Sequence, residues 1–289
     1  MSQNVFVTGT NSGFGRLITL TLAKKGHTVF ATMRDIAGRN AAAAEELTKA
    51  GEGRVHVLEM AATDDTSVNK AVAAALEKAG HLDVVVNNAG YAALGLEETL
   101  TSEELLRQYD VNVVGPHRVL RAALPSMRAR GKGFVVQVSS ALGRVVFPVM
   151  GAYGSSKFAL EALSEAYRYE LKATGVELTI VQPGAFPTEF GQKLAIGAEQ
   201  ERAKGYGPFA NALEMMGKSF EQMFSGDNVP SPQLVADAVV TLVESPAGSR
   251  PARVVVDPVS GQAAEGLNKA HAEVQKHLLA GMGMGNLAD

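Results

Sequence analysis

The chain has 289 residues, 46% of them hydrophobic and 20% charged, with a net charge of −3. That mixture excludes a disordered chain and leaves no basic surface for nucleic acid. With no cysteine, disulfides, thiolate metal sites and a cysteine nucleophile are excluded as well.

The N-terminus, "MSQNVFVTG", enters a strand at once, and no apolar run approaches the ~20 residues that span a bilayer, so a cytoplasmic protein without membrane contact is expected. Strands are predicted over 4–8, 28–32, 54–60, 82–90, 133–140, 176–184 and 253–258, and helices over 14–25, 39–50, 64–79, 102–130, 154–174 and 232–244. The strands are continuous Val-rich runs, the pattern of a sheet covered by helices on both faces. The alternation predicts a single α/β domain of doubly wound, Rossmann type over 1–289, with a mostly parallel seven-stranded sheet.

The first strand ends in "TGTNSGFG", residues 8–15, and a helix follows. Gly9, Gly13 and Gly15 permit a tight turn and close approach of a ligand. The free N–H groups of the helix start favour a dinucleotide pyrophosphate, Asn11 and Phe14 of the same turn are candidate cofactor contacts, and Ser12 could add a hydroxyl donor for a phosphate. The second strand ends in "FATMRD". Arg34 offers a planar fork for a 2′-phosphate, which favours NADP(H), whereas Asp35 could neutralise it or take a ribose hydroxyl and so keeps NAD(H) as the alternative.

Further along, "NNAG" (87–90) closes the fourth strand, "VSSALG" (138–143) closes the fifth, and "GAYGSSK" opens the next helix. Tyr153 and Lys157 are four residues apart and share one helix face. The stretch 187–230 breaks the alternation and leaves the carboxyl end of a strand, where a substrate lid or a simple embellishment would sit. Residues 259–289 form a C-terminal extension whose last part, "AGMGMGNLAD", is either frayed or docked on a neighbouring subunit. The six histidines lack ligand spacing, and no metal is expected.

With these motifs in this order, the sequence resembles the short-chain dehydrogenase/reductases, in their single-domain form with TGxxxGxG and YxxxK. It is also loosely similar to the 17β-hydroxysteroid dehydrogenase-like members. The resemblance implies a catalytic set of Asn112, Ser140, Tyr153 and Lys157, with Ser140 selected over Ser139 by the family's spacing to the tyrosine. Tyr153 is implied as general acid or base, Lys157 as its electrostatic partner and a ribose ligand, Ser140 as a hydrogen bond to the substrate oxygen, and Asn112 as the holder of a relay water. Asn88, Gly90, Pro183, Gly184 and Thr188 are implied along the cofactor, together with Tyr153 and Lys157. At the end of the third strand Ala61 and Ala62 replace the polar residue usual beside adenine.

The expected activity is that of an NADP(H)-dependent carbonyl reductase or alcohol dehydrogenase. A non-catalytic dinucleotide-binding regulator and a lyase-type member are the alternatives. A hydrophobic ketone, aldehyde or secondary alcohol suits the apolar candidates Tyr91, Leu142, Phe147, Phe186 and Met215, alongside Leu94, Val146, Val149, Phe209, Met216 and Phe220. A homodimer or homotetramer is expected through helix 154–174 and the helix near 113–130, because the first of these has apolar residues on more than one face.

Overall fold

The computed structural model describes residues 2–191, 194–225 and 229–288. Seven parallel strands form one sheet: β1 Asn4–Thr8, β2 Thr28–Met33, β3 Val55–Glu59, β4 Val84–Asn87, β6 Gly133–Val138, β7 Val176–Pro183 and β9 Arg253–Val256. Their order is β3-β2-β1-β4-β6-β7-β9. The order reverses between β1 and β4, so the carboxyl ends of those two strands border the crevice where such sheets bind ligands.

Strand periodicity divides the core into two layers. Val5 and Val7 of β1, Val84 and Val86 of β4, and Val136 and Val138 of β6 pack on one face against Ile18 and Leu22 of α1 (Gly13–Lys24) and Val235, Val239 and Val243 of α8 (Gln233–Glu244). Phe6, Val85 and Val135 point the other way, onto Val68 and Val72 of α3 (Asp65–Ala79) and Val119, Leu120 and Met127 of α5 (Gly115–Ala129). The remaining crossover helix before β3 is α2, Ala41–Ala50. Local signals set the ends: Asp64 accepts the Ser67 N–H at 2.7 Å to start α3, and Thr101 and Glu104 form a reciprocal capping box at the start of α4, Ser102–Tyr109.

Three elements differ from the sequence expectation. The continuous helix predicted over 102–130 is broken by a π-helical turn at Asp110–Val114, which rotates Asn112 into the interior. α6 starts at Gly151 and runs to Leu171, so Tyr153 stands in its first turn. The extension forms a long helix, α9 Gly261–Gly281, that packs on β9. The tail returns to its own chain, where Lys172 Nζ donates to the Ala288 carbonyl at 3.2 Å.

The 187–230 stretch contains β8 (Ala195–Ile196), a kinked 3₁₀ segment (Gln200–Asn211) and α7 (Ala212–Met223). β8 pairs in parallel with β5 (Ala93–Leu94), which holds the insertion to the segment after β4. Its residues 192–193 and 226–228 lie outside the described residues. No helix among the described residues is long and apolar enough to cross a membrane.

Candidate active site

The glycine turn is locked to the end of β4. Thr8 Oγ1 accepts the Asn88 and Ala89 N–H groups at 3.0 and 2.9 Å, while Asn88 Nδ2 donates to the Thr8 and Gly9 carbonyls at 2.9 and 3.0 Å. Gly9 has φ +71°, and a β-carbon there would lie 2.7 Å from Ala89 Cα; one on Gly15 would strike the Gly9 carbonyl. Only glycine fits either place. The Gly13 N–H, at the start of α1, donates to Glu189 Oε2 at 3.1 Å, and Thr188 lies against the same glycine. A carboxylate thus occupies the position where a helix start favours an anion, which fits the donor set to a diphosphate. Gly184, after β7, packs so tightly on Asp257 that a β-carbon has no room, which fixes the Pro183–Gly184 turn beside this edge.

At the end of β2, Arg34 is exposed and its pKa is lowered by partial burial and by the guanidinium groups of Arg39 and Arg107. Asp35 does not neutralise it. Asp35 adopts a left-handed φ of +52°, and its carboxylate accepts the Arg39 N–H at 3.0 Å and lies 3.9 Å from Arg39 Nε. Arg34 therefore feels two further arginines at this end, while the Asp35 carboxylate is turned toward Arg39. Asn40 ties Asn11 of the glycine turn to the Arg34 carbonyl. Ala61 and Ala62 are held by backbone contacts, from Ala61 N–H to Ser67 Oγ and from Arg118 to the Ala62 carbonyl.

Tyr153 and Lys157 are 8% and 5% exposed. Lys157 Nζ donates to the Val138 carbonyl at 3.0 Å and stands 5.7 Å from the Tyr153 ring centroid. Burial pushes the phenol up to about 12, with a hydrogen bond from Ser140 acting against it; burial also pulls the Lys157 ammonium down to about 8, with Glu161 acting against that. Ser140 Oγ accepts the Leu142 N–H at 3.1 Å, whereas Ser139 Oγ lies on the other side, within 2.9 Å of where a Gly143 β-carbon would stand. Ser140 is the serine that faces the phenol. Asn112, fully buried, clamps Tyr91 by accepting its N–H at 3.1 Å and donating to its carbonyl at 3.0 Å, and also donates to Ser156 Oγ at 3.0 Å. A β-carbon on Gly90 would approach both Asn112 Oδ1 and Lys157 Nζ, so the open space at Gly90 borders the pair.

Tyr153 also lines an apolar cluster with Ala92, Leu94 and Met150, onto which Leu142, Leu213, Met216 and Phe220 pack, and the Phe190 ring lies 5.9 Å from its own. Tyr91, half-buried, borders it through the segment that Asn112 clamps. Five expected lining residues are placed differently, Val146 and Phe209 among them, since both are exposed. Phe186 is buried in the α1/α8 layer, edge-on to Phe14 at 5.6 Å; Met215 is 63% exposed, because its neighbour Met216 takes the inward face of α7; and Phe147 is exposed on the loop before α6. Val149, at the end of that loop, holds a strained φ of +58° while its carbonyl accepts the Gly95 N–H at 3.0 Å.

The sequence model of the short chain dehydrogenase family matches residues 3–198. The chain belongs to this family. It is 31% identical to Oxidoreductase BOA17 of Botryotinia fuckeliana across 97% of this chain and 99% of that one. It is 34% identical to an NADPH-dependent 3-dehydrocapnine reductase of Ornithobacterium rhinotracheale, over 72% and 74% of the two chains. A short-chain dehydrogenase from Streptomyces avermitilis has the same fold, with a TM-score of 0.79 at 30% identity, over 98% of this chain and 99% of that one.

Two residues that shape this short-chain dehydrogenase site escape sequence reasoning. Gln108 is buried on α4 and bridges the Tyr91 carbonyl and the Ala93 N–H, both at 2.7 Å. Its four-residue spacing from Asn112 puts both amides on one helix face, the signal that could have found it. Glu189 follows Thr188 directly and reads as an ordinary surface acid. Only the folded geometry brings it to Gly13.

Proposed function

We propose that the protein is an NADP(H)-dependent oxidoreductase that exchanges a hydride with a hydrophobic ketone or aldehyde, or with the corresponding alcohol, using Tyr153 as the proton donor or acceptor. The observation that carries this reading is the buried Tyr153–Lys157 pair, with Ser140 on its phenol, opening between the glycine cradle and an apolar cluster. The cradle residues Gly9, Gly13 and Gly15 would hold the diphosphate, Arg34 with Arg39 and Arg107 a 2′-phosphate, and Lys157 the nicotinamide ribose. Bound there, the dinucleotide supplies or accepts the hydride.

Ser140 orients the substrate oxygen toward the phenol, and Tyr153 delivers the proton as charge develops on that oxygen. Lys157 favours the phenolate that remains, and the buried surroundings strengthen its effect. Leu94, Leu142, Met150, Leu213, Met216 and Phe220 exclude water and suit an apolar carbonyl compound. The choice of NADP(H) rests on the arginine cluster and on Asp35 being turned away, and the NADPH in the name of the Ornithobacterium relative points the same way. A homodimer or homotetramer through α5 and α6 belongs to the same proposal: Leu124, Pro125, Tyr167 and Leu171 line a groove between them.

Absorbance of NADPH with a panel of apolar ketones and aldehydes tests this reading. Consumption with several of them is expected. NADPH binding without any turnover would contradict the enzymatic assignment.

A further inference from the structure

Glu161 lies one helical turn beyond Lys157 on the same face of α6 and is 1% exposed. Its carboxylate is held on both oxygens. Oε1 accepts from Gln182 Nε2 at 2.8 Å, Oε2 accepts from Arg253 Nε at 2.9 Å, and Arg144 NH2 stands 3.5 Å from Oε2. Arg253 reaches on to Glu165 at 2.7 Å, and Glu165 accepts from Tyr169 at 2.6 Å and meets His271 Nε2 at 2.9 Å. Asn268 of α9 completes the cluster, accepting from Arg144 Nε at 2.9 Å and donating to Gln182 at 2.6 Å. The side chain of Glu161 passes under Gly143, where a β-carbon would come within 2.9 Å of its Cγ. The cluster thus joins the turn that follows Ser140 to α6, β7, β9 and the C-terminal helix.

The charge that bears on Lys157 is that of Glu161. The Tyr153 phenol and the Val138 carbonyl beside the ammonium carry none. Glu161 is the anion that acts on Lys157, and Arg144 and Arg253 stand on its carboxylate, so its loss would leave the ammonium buried facing uncompensated cations. An unpaired buried charge is strongly disfavoured.

Resting on the oxidoreductase reading, we propose that Glu161 is a positioning residue. Its buried carboxylate, anchored by the ion pairs of β9 and the C-terminal helix, keeps Lys157 charged and in place beside Tyr153. The C-terminal extension then serves the reaction from behind the sheet, without touching substrate.

The titration of Lys157 can be read directly by NMR of protein carrying ¹³Cε-lysine, with the resonance identified by its loss in Lys157→Met. Glu161→Gln is expected to lower the midpoint by about one pH unit or more, and Glu161→Asp to restore most of it. The alkaline limit of carbonyl reduction should move with it. Glu165→Gln loosens the same cluster one turn further on; it is expected to lower Tm and leave the midpoint close to that of wild type. Should Glu161→Gln not fold, Arg144→Gln removes a cation beside Glu161 and is expected to raise the midpoint. An unmoved midpoint in the Glu161 or Arg144 variant, or an equal shift in Glu165→Gln, overturns the proposal. If the midpoint shifts as stated while wild type reduces no carbonyl compound, the electrostatic assignment stands and the oxidoreductase reading fails.

Discussion

Lys157 Nζ stands 5.7 Å from the centre of the Tyr153 ring while it donates a hydrogen bond to the Val138 carbonyl at 3.0 Å. Burial acts on the two in opposite senses, raising the phenol to about 12 and lowering the ammonium to about 8. At neutral pH the phenol is therefore protonated and the ammonium charged, the states that proton donation to a carbonyl oxygen requires.

The pH dependence follows from that pair. Lys157 is charged below about 8 and neutral above it, and only the charged form favours the phenolate left after proton transfer. kcat/KM for carbonyl reduction is expected to fall as pH rises through about 8, measured as a pH–rate profile. A profile flat across that range would contradict the role given to Lys157.

The proposed preference for NADP(H) rests on Arg34. Loss of one charge-assisted contact to phosphate is worth roughly 1.5–3 kcal/mol. Arg34→Ala is accordingly expected to weaken NADPH binding about 10–100-fold by fluorescence titration, with NADH binding little changed, and Arg107→Ala to act in the same direction more weakly. Equal losses for both cofactors would remove the basis for an NADP(H) preference.

Glu189 stands at the proposed diphosphate seat, where its carboxylate accepts the Gly13 N–H at 3.1 Å. Glu189→Gln removes the negative charge from the helix start, where such a charge contributes about 0.3–1 kcal/mol. NADPH affinity is expected to rise about 2–5-fold by calorimetry. Weaker binding in the variant would mean that Glu189 assists the cofactor.

The ion-pair cluster at β9 carries an acid signature. Although burial opposes it, Tyr169, Arg253 and His271 hold the Glu165 carboxyl down at about 2, below the ordinary 4.5. A depressed carboxylate stabilises the folded state above the ordinary value, and that contribution is lost as pH falls from about 4.5 through about 2. Glu165→Gln is expected to lower stability at neutral pH by about 2–4 kcal/mol and to flatten the fall of Tm in the acid window. Calorimetric scans of both proteins between those pH values provide the check.

Much of this was legible in the sequence because it depends on local pattern. Val-rich runs alternating with amphipathic helices predict the sheet, and the glycines at 9, 13 and 15 mark the turn where a side chain has no room. The four-residue spacing of Tyr153 and Lys157 places them on one face, and the structure buries both. What was not legible depends on contacts distant in sequence. The inward rotation of Asn112 comes from a widened turn inside an otherwise continuous helical pattern, and the approach of Glu189 to Gly13 joins segments 176 residues apart. The pocket residues suffered most. Which of Met215 and Met216 faces Tyr153 is a question of helix phase, and the phase of α7 is set by its packing on Leu96 and Val149 rather than by its own pattern. The C-terminal helix buries little of its apolar surface, Ala264 and Leu279 being its buried side chains, and Asn268 and His271 hold it through contacts distant in sequence.

The most direct test of the central claim is the rate of NADPH oxidation by an apolar ketone in Tyr153→Phe, measured together with NADPH binding. Removing a general acid costs about 10²–10⁴-fold in rate. The account predicts a loss of that size with NADPH affinity within a few-fold of wild type. A variant that binds NADPH and reduces the ketone at the wild-type rate would contradict it.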